Sequence, residues 1–170
     1  MVNTPEGPRT EAVAPSSSAP GARVDPNLAN AFDFYVNTDD SRGYYFTTPS
    51  GKWNCAIFPH STAGCQSAGG TQPLRITGAP DTVRTDDGQD VAPNAVEIGD
   101  GDAVFVRLDP PGFGPPAGAP PRLDFTRTLA AGGFRCNVQE SGVSCQNEVS
   151  HKGFTFSPDG FTPEYTPVPG

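Results

Sequence analysis

Gly51-Lys52-Trp53-Asn54-Cys55 runs through nine residues to Cys65-Gln66, and Gly132-Gly133-Phe134-Arg135-Cys136 runs through eight residues to Cys145-Gln146. The two stretches share a plan. Each has Gly four positions before its first cysteine, an aromatic residue two before it, and Gln after its second. Together they use all four cysteines of the chain. The pattern predicts two related β-hairpins in an oxidised, exported protein. It points to no reaction.

Four cysteines allow three pairings. The expected one is Cys55–Cys65 with Cys136–Cys145, because each pair flanks a tight loop that turns the chain antiparallel to itself. Cysteines facing across a hairpin can reach the ~5.5 Å Cα separation of a disulfide. Closing loops this small contributes about 2–3 kcal/mol each in the chain-entropy account. A four-cysteine zinc site presents its ligands two to four apart. The spacings here are ten and nine, and neither His60 nor His151 falls in a ligand repeat. The expectation is no metal, no cofactor and no catalytic thiol. Persistent disulfides imply export across a membrane.

Composition agrees with a turn-rich β-protein. The 170 residues suffice for one domain with tails. Hydrophobic residues are 35% and charged residues 18%, low for a globular chain, while Gly and Pro number 20 each. Short strands joined by many turns fit that mixture better than helices. The net charge is −8, and the stretch 81–109 supplies most of it, with eight acids against two arginines. Such a surface repels phosphate backbones and anionic lipid, which argues against nucleic acid as a partner. No apolar run approaches the ~20 residues of a membrane span.

Working outward, residues 1–25 are rich in Pro, Ser and Ala and are expected to form a disordered tether. The start Met1-Val2-Asn3-Thr4-Pro5 lacks the features of a secretory signal. The expectation is a chain that begins after a removed signal or anchor, which would be its one link to a membrane. Asp25-Pro26 is a helix-start signal, with Leu28, Ala31, Phe32 and Tyr35 on one face of a short helix. Strands are expected at 44–48, 53–58, 74–77, 95–98, 103–108, 123–129, 134–139, 143–147 and 154–156. Thr48-Pro49-Ser50-Gly51 and Ser157-Pro158-Asp159-Gly160 read as equivalent turns, and Asp86-Asp87-Gly88 and Gly99-Asp100-Gly101-Asp102 as further ones. Asp109–Pro121 has six Pro and three Gly in 13 residues and reads as a long exposed loop between two halves. Residues 166–170 read as a frayed tail. The whole is one β domain over 26–165.

Few residues suggest chemistry. There is no Gly-x-Ser-x-Gly elbow and no phosphate-binding Gly loop. The histidines read as loop residues. The carboxylates of 81–109 sit in turn contexts, and Asp86–Asp90 lacks the alternating ligands of a calcium loop. Trp53, Tyr44, Tyr45 and Phe113 form a candidate aromatic ligand surface. Strand alternation gives Trp53 and Phe134 a competing role, packed against their own disulfides.

Gly133-Phe134-Arg135-Cys136, Gly142-Val143-Ser144-Cys145-Gln146-Asn147 and Lys152-Gly153-Phe154-Thr155-Phe156-Ser157 resemble a pattern in small exported proteins and lipoproteins of actinobacteria, of the mycobacterial type. Phe46-Thr47-Thr48-Pro49-Ser50-Gly51-Lys52-Trp53-Asn54-Cys55 is similar to the opening segment of that family. The resemblance covers residues 44–58 and 129–160. The acidic and proline-rich middle has no counterpart in it. The family is largely of unassigned function, so the resemblance implies an envelope location and no catalytic residue.

The reading that follows is a mainly β protein, an antiparallel small barrel or sandwich with two disulfide-closed hairpins. It is expected to be a monomeric, non-catalytic binding or structural module, secreted or lipid-anchored at the cell envelope. Its partner would be an envelope protein or cell-wall component. One alternative is an exported inhibitor acting through a rigid loop such as 56–64 or 112–120. Another is a hydrolase of envelope polymers using carboxylates of 81–109.

Overall fold

The computed structural model describes residues 26–39, 41–116 and 118–169. The tether and its Asp25 cap lie outside them. Among the described residues the strands are β1 Tyr35–Asn37, β2 Arg42–Thr47, β3 Trp53–Phe58, β4 Thr62–Ser67, β5 Val83–Arg84, β6 Asp90–Val91, β7 Ala95–Ile98, β8 Val104–Val106, β9 Thr128–Ala131, β10 Phe134–Gln139, β11 Gly142–Asn147, β12 Gly153–Ser157 and β13 Gly160–Thr162. They form a six-stranded sheet in the order β1-β2-β3-β4-β7-β8 and a five-stranded sheet in the order β13-β12-β11-β10-β9. Every ladder is antiparallel. β5 and β6 form a separate small hairpin around the Asp86-Asp87-Gly88 turn. Neither large sheet closes on itself, so the architecture is a sandwich and not a barrel.

The cysteine hairpins are the centre of each sheet. Cys55 faces Cys65 across β3 and β4, and Cys136 faces Cys145 across β10 and β11. Both pairs are bridged, with Cα atoms 4.0 and 4.1 Å apart. Each bridge lies in an equivalent cross-strand row: Phe46–Cys55–Cys65–Val96 in one sheet, Leu129–Cys136–Cys145–Phe154 in the other. Because side chains alternate along a strand, these rows point the same way as Trp53, Ile57, Phe134 and Val138. The two inner faces meet in one apolar core that holds both disulfides. Trp53 and Phe134 are buried in it, as packing against the bridges predicted.

Several expectations need correction. The helix reduces to one 3-10 turn, Ala31–Phe34, capped by the Asn30 side chain, which accepts from the Phe32 N–H. Phe34 is the buried residue of that turn, and Phe32 is 84% exposed. Residues 74–77 form no strand. Arg75 has φ +57°, which breaks the extended run, but Leu74 and Ile76 still close the edge of the core. Over 123–129 only Thr128 and Leu129 belong to a strand. Leu123 is tied to Thr47, the Arg127 N–H closes a turn onto Asp124, and Thr126 is left-handed at φ +68°.

The proline-rich segment 109–121 is not simply an exposed loop. Most of its described residues are exposed, as expected, but Phe113 anchors it on the outer face of the first sheet. There Phe113, 3% exposed, packs with Tyr45, Ala56 and Ala95 in a second apolar cluster. Its ring stacks on Phe58 with centroids 5.8 Å apart, inside the ~4.5–7 Å span of aromatic pairs, and its N–H donates to Gln66 Oε1 at 2.6 Å. Residues 166 and 167 are not frayed either. They are hydrogen-bonded to the outer face of the second sheet.

Candidate functional site

The two equivalent turns predicted around Pro49 and Pro158 come together at one end of the sandwich. The first begins with the Gly51 N–H donating to the Thr48 carbonyl at 2.9 Å and is braced by the Thr48 and Ser50 hydroxyls at 3.1 Å. Gly51 is left-handed, at φ +75°, which suits glycine at that position. The second joins β12 to β13, with Ser157 paired to Gly160. Between them lies a cleft of about 150 Å³.

Both halves of the chain build this cleft. Trp53 lies at the start of β3, its indole edge-on to Phe156 with centroids 4.9 Å apart. Val138 and Val143 reach it from the second cysteine hairpin, and Phe125 from the turn before β9. Phe125 is 46% exposed, and the left-handed Thr126 follows it directly. A β-branched residue in that conformation carries backbone strain. Lys52 and Glu140 supply the charges of the lining. A second groove, of about 410 Å³, shares Lys52, Trp53 and Pro158 and continues past Leu74 and Arg75.

The four aromatics expected to share a surface do not. Tyr44 and Trp53 are on the inner side of the first sheet, while Tyr45 and Phe113 are in the outer cluster. Adjacent residues of a strand face opposite ways, so Tyr44 and Tyr45 cannot line one site. Tyr44 pairs with Tyr35, centroids 4.9 Å apart, away from Phe113. Of the ligand candidates, Trp53 alone lines the cleft. Phe125, Val138 and Pro158 line it without having been ligand candidates. Phe125 looked like one more residue of an alternating strand, and nothing local signals the turn that turns it outward.

The carboxylates of 81–109 are spread over several regions, with Asp102 paired to Lys152 at 2.9 Å. Asp86, Asp87 and Asp109 line an open groove of about 580 Å³ with Arg84 and Arg107. Asp100 lies elsewhere, beside His60, Gly133 and Val149. Arg84 pairs with Asp90 at 3.3 Å, and the Arg107 guanidinium donates to the Thr71 carbonyl at 2.8 Å. Burial raises the Glu97 carboxyl above its ordinary pKa, and burial likewise raises the Tyr45 phenol against a smaller opposing effect of Ser41. Neither group lines the Trp53 cleft. Among the described residues no group of three or more His, Cys, Asp or Glu is placed to hold a metal ion. Comparison with family models, with curated proteins and with solved structures finds no match to the chain.

Proposed function

We propose that this protein is a non-catalytic, cell-envelope-exposed binding module whose partner is anchored in the Trp53 cleft. The carrying observation is the cleft itself, an apolar recess lined by both halves. Its size decides the kind of ligand. Sites for drug-sized molecules run about 300–1,000 Å³, and this one is about 150 Å³. It suits one anchoring group of a larger partner, surrounded by a polar rim. The adjoining groove of about 410 Å³ past Leu74 and Arg75 leaves room for more of such a partner, an envelope protein or a cell-wall polymer. Two disulfides are consistent with an extracytoplasmic location. The resemblance to exported actinobacterial proteins supports the same placement.

An inhibitor needs a protruding loop; 56–64 is strand except at 59–61, and 112–120 is pinned to the sheet at Phe113. A polymer hydrolase needs convergent carboxylates, and the acidic groove carries two arginines among its acids. The binding reading therefore has the stronger support.

Trp53 is the only tryptophan, so its fluorescence reports the cleft directly. Soluble cell-wall fragments and detergent-extracted envelope proteins are the probes. One of them should shift Trp53 emission saturably, and Phe125→Ser should remove that shift. No saturable shift with either, or a shift that Phe125→Ser leaves intact, overturns the reading.

A further inference from the structure

The outer face of the second sheet carries a row of polar side chains that one tail residue, Thr166, bridges. Asn137, Ser144 and Thr155 are direct register partners across β10, β11 and β12. Strand alternation turns all three away from the disulfide core. Thr166 lies across the row. Its N–H donates to Ser144 Oγ at 2.7 Å, and its carbonyl accepts from Asn137 Nδ2 at 2.9 Å. Its hydroxyl is 2.7 Å from Thr155 Oγ1. Every polar group of Thr166 thus meets a different strand.

The neighbouring tail residues are held in the same way. Thr155 Oγ1 donates to the Glu164 carbonyl at 2.7 Å, and Gln139 Nε2 donates to the Pro167 carbonyl at 3.2 Å. The Tyr165 hydroxyl accepts from Asn137 Nδ2 at 3.0 Å. Gly153 makes room for Tyr165: a Cβ there would stand 3.2 Å from the Tyr165 Cβ. Asn137 and Ser144 are almost fully buried beneath this segment, at 0% and 1% exposure. The ladders of β10, β11 and β12 are complete without the tail, which adds no strand to the sheet. The tail is therefore held as a peptide ligand is held, by side chains that read its main chain. An open groove of about 610 Å³ runs beside it, lined by Arg135, Glu148, His151 and Tyr165.

We propose that the Asn137–Ser144–Thr155 row is a binding site for an extended peptide segment carrying Tyr-Thr-Pro, and that the chain's own Tyr165-Thr166-Pro167 is a replaceable occupant. The proposal concerns a face separate from the Trp53 cleft and does not depend on it. The tail is the evidence for the ligand's chemistry: its threonine matches the row atom for atom, and its proline needs no N–H partner. Tethering gives the resident segment a high effective concentration, so an incoming peptide must compete with it.

The test uses a synthetic peptide of residues 163–170 and a chain ending at Thr162. The shortened chain should bind the peptide saturably at one to one. The full chain should bind it about tenfold more weakly or worse, because its own tail competes. A peptide with Val in place of Thr166 should lose about tenfold in affinity for the shortened chain. A shortened chain that keeps its near-UV circular dichroism yet does not bind, or that binds the Val peptide equally well, overturns the proposal. If shortening disturbs the fold, isotope-labelled full chain with excess unlabelled peptide reads the same site. The resident Thr166 amide should then exchange with solvent about tenfold faster. An unchanged rate at saturating peptide overturns the proposal too.

Discussion

Gly64 has no side chain, and the ring of Phe113 fills the space where one would stand. A Cβ there would come within 2.5 Å of the Val96 carbonyl oxygen and 2.6 Å of Phe113 Cζ. The ring can turn aside, but the carbonyl oxygen belongs to the β4–β7 ladder, so the strands must shift as well. Gly64→Ala is expected to cost about 1–3 kcal/mol, the range of overpacked sites; an unchanged urea midpoint would contradict this account. Glu97 follows Val96 and points to the same outer face as Gly64, its register partner. Burial raises its folded pKa above the ordinary value of 4.5. A carboxyl raised in this way binds its proton more tightly when folded. Its ionisation therefore weakens the fold as pH rises through the raised value, and the penalty is absent below 4.5. Glu97→Gln should raise the thermal midpoint at neutral pH, and the gain should fade in acid. An equal gain at acidic and neutral pH would assign the effect to something other than charge.

The elements differ in how plainly the sequence announced them. β3, β7 and β10 have the expected bounds, because aromatic and β-branched residues alternate there between clear turns. The Leu74–Thr77 and Leu123–Leu129 segments show similar alternation, but a left-handed residue interrupts each, and only Thr128 and Leu129 join a ladder. Alternation encodes which residues are buried, as Leu74, Ile76 and Leu123 are, but it does not encode a partner. The covering segments were hidden for another reason. Proline and glycine reveal that 109–121 and 163–169 form no central strand, yet they do not reveal what those segments rest on. Likewise Trp53 was visible as a candidate because it is unique, whereas the row under the tail looked like ordinary outward polarity on Asn137, Ser144 and Thr155. Phe113 tests the covering role. Phe113→Ala should cost about 3 kcal/mol, as buried Phe truncations do, and should open 109–121 to limited proteolysis. Undiminished stability with an uncut loop would mean that the segment is held mainly by other contacts.

The whole molecule rests on a core in which both disulfides are buried. Each bridge closes a short loop, of sequence separation 10 or 9. Replacing Cys55 and Cys65 together by Ala, or Cys136 and Cys145 together, should lower stability by about 2–3 kcal/mol in the chain-entropy account. Equivalent placement of the two rows predicts similar losses from the two pairs, measured in urea. A loss confined to one pair would show that the halves are unequal in spite of their matching rows.

Each bridge joins neighbouring strands of one sheet, and neither crosses from one sheet to the other. The only covalent path from the first set of strands to the second is the backbone through 107–127. In this sense the sandwich is a heterodimer whose two subunits happen to share a peptide chain. A cut within that connection turns a concentration-independent fold into an association equilibrium. Two pieces mixed after separate production would then assemble or fall apart with dilution, each keeping its own sulfur bridge.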